Sequence, residues 1–198
     1  MKSKRLGFAL TGSFCTIPQI FPQIELLARE YASVTPIISP KVGTIDTRFG
    51  TAQSVIEKLE SITGNAVINS IISAEPIGPT HMFDCLIIAP TTGNTLAKLA
   101  CGIADTTVTM ATKSHLRNSR PLVLAISTND GLSTNAKNIG TLLARKHVYF
   151  VPFGQDDAES KPHSLISNMS LLPQTIASSL AGVQLQPLLH AHITPQIQ

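Results

Sequence analysis

Charge is what this sequence has least of. Only 14% of its 198 residues are Asp, Glu, Lys or Arg, against about a quarter in ordinary globular domains. With 43% apolar residues and a mean hydropathy of +0.20, the deficit predicts that part of the surface is covered by another copy of the chain, because interface cores are depleted of charge. An uncharged surface of Ser, Thr, Asn and Gln is the other route to such a composition. The net charge is +3 and the basic residues cluster nowhere beyond Lys2 to Arg5, which excludes the basic stripe of a nucleic-acid binder. No apolar run approaches the roughly 20 residues of a membrane span. Lys2 to Arg5 followed by Leu6 to Leu10 has the outline of a signal peptide, but the run stops at Thr11-Gly12-Ser13, short of the roughly 7–15 residues required. It reads as a buried first strand, and the chain is expected to be cytoplasmic.

Cysteine is scarce as well: Cys15, Cys85 and Cys101 make an odd count without metal-ligand spacing. Cys85 and Cys101 fall in apolar stretches where buried, inert thiols are expected, whereas Cys15 falls in a loop. The six histidines show no metal spacing either; His190 and His192 lie in the tail, and His81 reads as a surface or capping residue. No metal site is expected. Three nucleotide and hydrolase signatures are missing: the first loop has no G-x-G-x-x-G, and neither G-x-x-x-x-G-K-[ST] nor G-x-S-x-G occurs. An ordinary dinucleotide fold, a P-loop enzyme and an α/β-hydrolase are thereby disfavoured.

What is present is an alternation of short apolar runs with helix-length segments, the pattern of a parallel sheet wrapped by helices. Strands are predicted at Leu6–Leu10, Val34–Ile38, Leu86–Ala89, Leu122–Ile126 and, last, Val148–Val151, with a weaker strand or edge around Ile68–Ala74. Helices are predicted at about 19–31, 51–62 with Gly64 as its stop, 94–102, 107–116, 134–145 and 166–181. The fold class is α/β: one doubly wound, mostly parallel sheet with helices on both faces, a flavodoxin/Rossmann-like three-layer domain over 1–182, with 183–198 as a tail or an arm onto a neighbour.

In open α/β sheets ligands bind beyond the carboxyl ends of the strands. Four such ends carry small and hydroxyl residues: Thr11-Gly12-Ser13, Ser39-Pro40, Pro90-Thr91-Thr92-Gly93-Asn94-Thr95 and Ser127-Thr128-Asn129-Asp130-Gly131. Each alone is an ordinary cap or turn. Four at one sheet edge predict a phosphate-bearing ligand, held by hydroxyls and free N–H groups at helix starts.

The stretch from Ile87 to Asp105 resembles the A-P-x-(S/T)-A-N-T-x-x-K-(I/L)-A-x-G-x-x-D segment of the homo-oligomeric flavin-containing cysteine decarboxylases. Thr11-Gly12-Ser13 is similar to the first phosphate loop of that family, Ser39 to its second, and Ala125-Ile126-Ser127-Thr128-Asn129 falls where the family has A-P-x-M-N. The resemblance covers most of the first 155 residues. It implies flavin mononucleotide (FMN) bound by Gly12, Ser13, Phe14, Ser39, Pro90, Thr91, Thr92, Asn94 and Thr95, and a trimer-based assembly with that site near a subunit contact. Two departures stand out: the position of the family's catalytic histidine falls near Pro76, and Thr128 replaces the methionine before Asn129. Both argue against decarboxylation of a peptidyl cysteine.

Ala74-Glu75-Pro76-Ile77-Gly78-Pro79, Asp46-Thr47-Arg48-Phe49-Gly50 and Phe150 to Asp157 with Lys161-Pro162 resemble the B subunits of bacterial dipicolinate synthases over essentially the whole chain. That resemblance implies a place in the mother cell of a sporulating bacterium, on the lysine/diaminopimelate branch, and an A-subunit partner carrying NAD(P). It also implies oxidation of a dihydrodipicolinate-type precursor, a small dicarboxylate, to dipicolinate. Asn129 is then the candidate to orient the ring or a carboxylate. Among the cations at loop positions, Lys41, Arg48, Lys113 and Lys161, Arg48 leads because guanidinium binds carboxylate in a two-pronged fashion. No catalytic acid or base is assignable. Two alternatives remain: a non-catalytic phosphate-binding scaffold that activates the A subunit, and a flavin-dependent decarboxylase of unknown substrate.

Overall fold

The computed structural model describes residues 3–190. The central sheet is built from β1 (Arg5–Leu10), β2 (Ser33–Ile38), β3 (Cys85–Thr91), β4 (Leu122–Thr128) and β5 (Val148–Phe150), all parallel, in the order β2-β1-β3-β4-β5. The strands are buried runs because both faces are covered. Leu6, Phe8 and Leu10 of β1, Cys85, Ile87 and Ala89 of β3, and Val123 and Ala125 of β4 point to one face. There they meet α1 (Ile17–Glu30), α3 (Ala52–Thr63) and α8 (Leu172–Leu180) through Ile20, Ile24, Leu27, Leu59, Leu172 and Ile176. The intervening residues Ala9, Leu86, Ile88, Leu122, Leu124 and Ile126 point to the other face. These pack on α5 (Gly93–Ala100), α6 (Thr107–Leu116) and α7 (Ala136–Leu143) through Leu96, Leu99, Val108, Ala111, Ile139 and Leu142. Each of the large ones, Leu, Ile, Val or Phe, stabilises the fold by about 1.5–3 kcal/mol when fully buried. This is the doubly wound domain expected, and Gly64, left-handed at φ 65°, ends α3.

Several expectations are corrected. Ile68–Ala74 is not a strand: Ile68 makes one isolated bridge to Ile37, and α4 (Ile71–Ala74) follows at once, since Ser70 and Ser73 cap each other and start a helical turn. A short helix, α2 (Pro40–Thr44), directly follows β2. Val148–Val151 is not the last strand. β6 (Phe153–Asp157) and β7 (Lys161–Ser167) form an antiparallel hairpin, and β7 attaches to the end of β4 through Ser127↔Ile166 and Thr128↔Leu165. The hairpin is largely exposed and polar toward its turn, so it shows no apolar run.

The helix expected over 166–181 therefore begins only at Leu172. Pro173, which lacks an N–H, is tolerated in the first turn where the structure places it, and not in a helix interior. Cys101 is exposed rather than buried: it caps α5, and Gly102 turns left-handed beside it. Residues 184–190 run alongside Phe150 to Phe153 in the same direction, with one parallel bridge between Leu189 and Phe153. The Gln184 side chain bonds both N–H and C=O of Phe150, and His190 N–H donates to Phe153 O. The remainder of the tail lies outside the described residues.

Candidate active site

The order β2-β1-β3 makes the carboxyl ends of β1 and β3 the switch point of the sheet, where α1 departs to one face and α5 to the other. The two strand ends are stapled by Thr11. Its buried hydroxyl donates to Pro90 O at 2.7 Å and accepts from Thr92 N–H at 3.0 Å. Thr92 in turn caps α5 by accepting from Thr95 N–H. Ser39 caps α2 through Val42 N–H, and its own N–H is held by Leu10 O.

Around the staple lie two adjoining hollows. The larger, about 630 Å³, is lined by Gly12, Ser13, Phe14, Thr92, Asn129 and Arg48, together with Thr16, Gln19, Phe49, Ser127, Asp156, Lys161 and Ser164. The smaller, about 270 Å³, is lined by Ser39, Asn94, Thr95, Lys41, Lys98 and Thr106. Gly12 and Thr92 line both. Seven of the nine residues singled out for FMN, and both substrate candidates, thus reach one crevice. Pro90 and Thr91 line neither hollow: Thr91 turns its hydroxyl inward to Ile88 O at 2.6 Å, and Pro90 contributes its carbonyl to Thr11. Pro76 sits in a 3-10 turn over 75–77 and lines neither hollow. Among the described residues no histidine lines either one.

At the floor of the larger hollow three hydroxyls converge. Ser13 Oγ lies 2.8 Å from Ser127 Oγ and 3.1 Å from Thr16 Oγ1, and Thr16 Oγ1 lies 2.9 Å from Ser127 Oγ. Thr16 stands at the N-terminus of α1 and makes no side-chain cap there, so the helix start keeps its positive end toward the cluster. Thr16-Ile17-Pro18 is a helix-start signal that could have placed Thr16 here from sequence. Asp156 and Ser164 carried no such signal, because they reach the crevice through the hairpin.

The cations around the crevice are not equivalent. Lys98 bonds both carboxylate oxygens of Asp105 at 2.7 Å, which holds Asp105 below the usual carboxylate range. Lys161 pairs with Asp156 at 3.0 Å. Arg48 lies over the Phe49 ring, 4.8 Å from its centroid, and neither it nor Lys41 has a carboxylate partner among the described residues. Asn129 is flanked by Ser164, whose one hydroxyl proton is shared between Thr128 O at 3.3 Å and Asn129 Oδ1 at 3.5 Å. The loop behind it is locked by Asp130, which accepts from Thr128 Oγ1 and Asn135 Nδ2. A Cβ on Gly93 would strike this lock, meeting Asn135 Nδ2, Asp130 Oδ1 and Thr128 Oγ1. Only glycine lets α5 begin so close to the loop after β4.

A crevice with a helix N-terminus, converging hydroxyls and carboxylate-free cations fits a phosphate-bearing ligand. The likeness to known families decides the lineage, since the family model described as Flavoprotein matches residues 1–166. The chain belongs to the Flavoprotein family. Within it, the chain is 49% identical to the B subunit of dipicolinate synthase from Bacillus subtilis (strain 168) over 189 residues, covering 96% of this chain and 94% of that one. The crystal structure of the dipicolinate synthase B subunit from Bacillus halodurans C superposes with a TM-score of 0.87 at 46% identity, over 95% of this chain and 96% of that one. A peptidyl-cysteine decarboxylase shares the fold alone, with a TM-score of 0.63 at 19% identity over 87% of this chain and 97% of that one. Among the described residues no helix is long and apolar enough to cross a membrane.

Proposed function

We propose that this Flavoprotein-family chain is the flavin-binding subunit of a two-subunit dipicolinate synthase, oxidising a dihydrodipicolinate-type precursor with an A subunit. The observation that carries the reading is the single crevice in which the phosphate-type loops after β1 and β3 and the carboxylate-free Arg48 meet. The residues present fit FMN. Ser13 and Thr16 at the start of α1 and Ser127 near the end of β4, with Gly12, Phe14, Thr92 and the Ser39, Asn94 and Thr95 hollow, would hold the nucleotide, and Lys41 would offset phosphate charge. Bound flavin supplies a two-electron acceptor.

The reaction removes one hydride equivalent and one proton from the dihydropyridine ring and leaves the aromatic pyridine dicarboxylate. The chain's own part is to orient the ring. Arg48 binds one carboxylate, and Asn129, flanked by Ser164, donates its amide N–H to the substrate. NAD(P) sits on the partner subunit as the final acceptor. The chain acts in the mother-cell cytoplasm as a trimer-based homo-oligomer, in keeping with its 14% charged residues. A second reading, an activating partner that uses the crevice for phosphate alone, is favoured by the lack of a lining histidine among the described residues.

Titration of the purified chain with FMN, followed by flavin absorbance and fluorescence, tests the proposal. Saturation at one per protomer, and turnover of dihydrodipicolinate once the A subunit is added, is the expected result. Absence of flavin binding would overturn it in favour of the activating partner.

A further inference from the structure

The β6–β7 hairpin brings to the crevice a charge pair that the fold does not need. Lys161 opens β7 and Asp156 lies in β6. Their side chains are 54% and 33% exposed, and both line the larger hollow. Across the hairpin the register pairs Lys161 with Asp157, not Asp156. Asp157 faces the turn instead, accepting from Glu159 N–H, Ser160 N–H and the Ser160 hydroxyl. The register shifts between Gln155 and Asp157, an irregularity that contains Asp156 and interrupts the alternation of side chains there, and Lys161 reaches past its register partner to the Asp156 carboxylate on the cleft side. The turn is complete without that reach, and an exposed ion pair of this kind contributes little to stability. The Asp156 carboxylate nevertheless holds the Lys161 ammonium above the usual lysine range, first by the hydrogen bond and then by charge. Arg48 lines the same hollow from the loop before α3, stacked on Phe49 and without a carboxylate of its own among the described residues.

We infer that Arg48 and Lys161 are the two cationic ends of a clamp for a small dicarboxylate, and that Asp156 is an internal carboxylate standing in for the substrate at the Lys161 end. The inference rests on the proposed function for its substrate class and adds to it the residue that separates dicarboxylates from monocarboxylates. Binding exchanges one carboxylate for another at Lys161, so Asp156 sets the affinity by competition. A ligand with a single carboxylate takes the free Arg48 and leaves the Lys161–Asp156 pair closed.

Calorimetric titration of the full-length chain with pyridine-2,6-dicarboxylate and, separately, pyridine-2-carboxylate tests the clamp at fixed ionic strength. The parent is expected to prefer the dicarboxylate at least about tenfold. Lys161→Gln should erase most of that preference by weakening the dicarboxylate alone. Asp156→Asn, which keeps the shape and removes the competing charge, should tighten the dicarboxylate about threefold to tenfold. Variants that keep the parent's preference, or an Asp156→Asn that binds the dicarboxylate more weakly, would overturn the clamp while leaving the flavin titration and the turnover assay to judge the functional reading separately. A parent that binds neither probe would overturn the clamp and the dicarboxylate assignment together. Both positions are exposed, so unaltered thermal unfolding of the variants separates a lost clamp from a lost fold.

Discussion

Ser13 and Ser127, 114 positions apart in the chain, place their hydroxyl oxygens 2.8 Å from each other at the carboxyl edge of the sheet. One leaves β1 and the other lies near the end of β4, and Thr16 at the start of α1 completes the cluster within 3.1 Å of both. The three hydroxyls hydrogen-bond one another and can turn the same protons toward an anion, so the cluster is satisfied in either state.

A negative charge in that cluster should therefore exclude a phosphate. Ser13→Asp is expected to weaken FMN binding about a hundredfold or more, since like charges in contact cost several kcal/mol. Ser13→Ala should weaken it far less. Flavin fluorescence titration of the two variants checks the placement; equal affinities for Ser13→Asp and the parent would move the phosphate elsewhere.

Gly93 ties stability to the site. A methyl group there meets the Thr128–Asp130–Asn135 lock from the first turn of α5. Gly93→Ala is expected to destabilise the chain by about 1–3 kcal/mol and to loosen flavin binding through Thr92 and Asn94. Urea unfolding with and without FMN measures both effects.

Asn129 should matter to turnover more than to the cofactor. Its amide lines the larger hollow, with Ser164 on its oxygen. Asn129→Ala is expected to lower kcat with the A subunit about a hundredfold, the scale of loss when a substrate is misplaced by an ångström, and to leave the FMN stoichiometry at one per protomer. Single-turnover kinetics and the flavin spectrum separate the two.

Acid should weaken the fold through His115. Burial pushes this imidazole down to about 4, against a smaller opposing effect of the Pro121 carbonyl, to which Nε2–H donates at 3.0 Å. Its folded value lies below the ordinary 6.5, so the unfolded chain takes up the proton first. Stability is then full above about pH 6.5 and is lost as pH falls toward 4, by about 3 kcal/mol in all. Asp84 acts in the same direction at lower pH. Burial raises its pKa, but the Arg5 N–H hydrogen bond and the Lys4 charge outweigh that and hold it below the usual range. Denaturant unfolding at several pH values should show the decline, and His115→Gln should flatten its upper part.

The amino-acid sequence by itself determined the doubly wound core and the chemistry of its edge. Leu6–Leu10, Leu86–Ala89 and Leu122–Ile126 are continuous apolar runs because helices cover both faces of the sheet. That burial is written locally, in the residues that need it. The hydroxyl-rich strand ends were legible for the same reason: the residues that leave a parallel strand and start a helix must cap it. Only the tertiary structure decided which of those residues face the crevice. Thr91, just past a shift in the β3–β4 register, turns its hydroxyl inward to Ile88 O, while Thr92 one position later caps α5 and lines the crevice.

The β6–β7 hairpin, which carries Asp156, Ser164 and the already suspected Lys161 to the crevice, was likewise invisible in the local pattern. What seats it is the pairing of Leu165 and Ile166 with Thr128 and Ser127, a backbone contact across nearly 40 positions. Backbone hydrogen bonds are much the same for every residue type, so a polar, half-exposed hairpin leaves no period in the sequence to announce where it will dock.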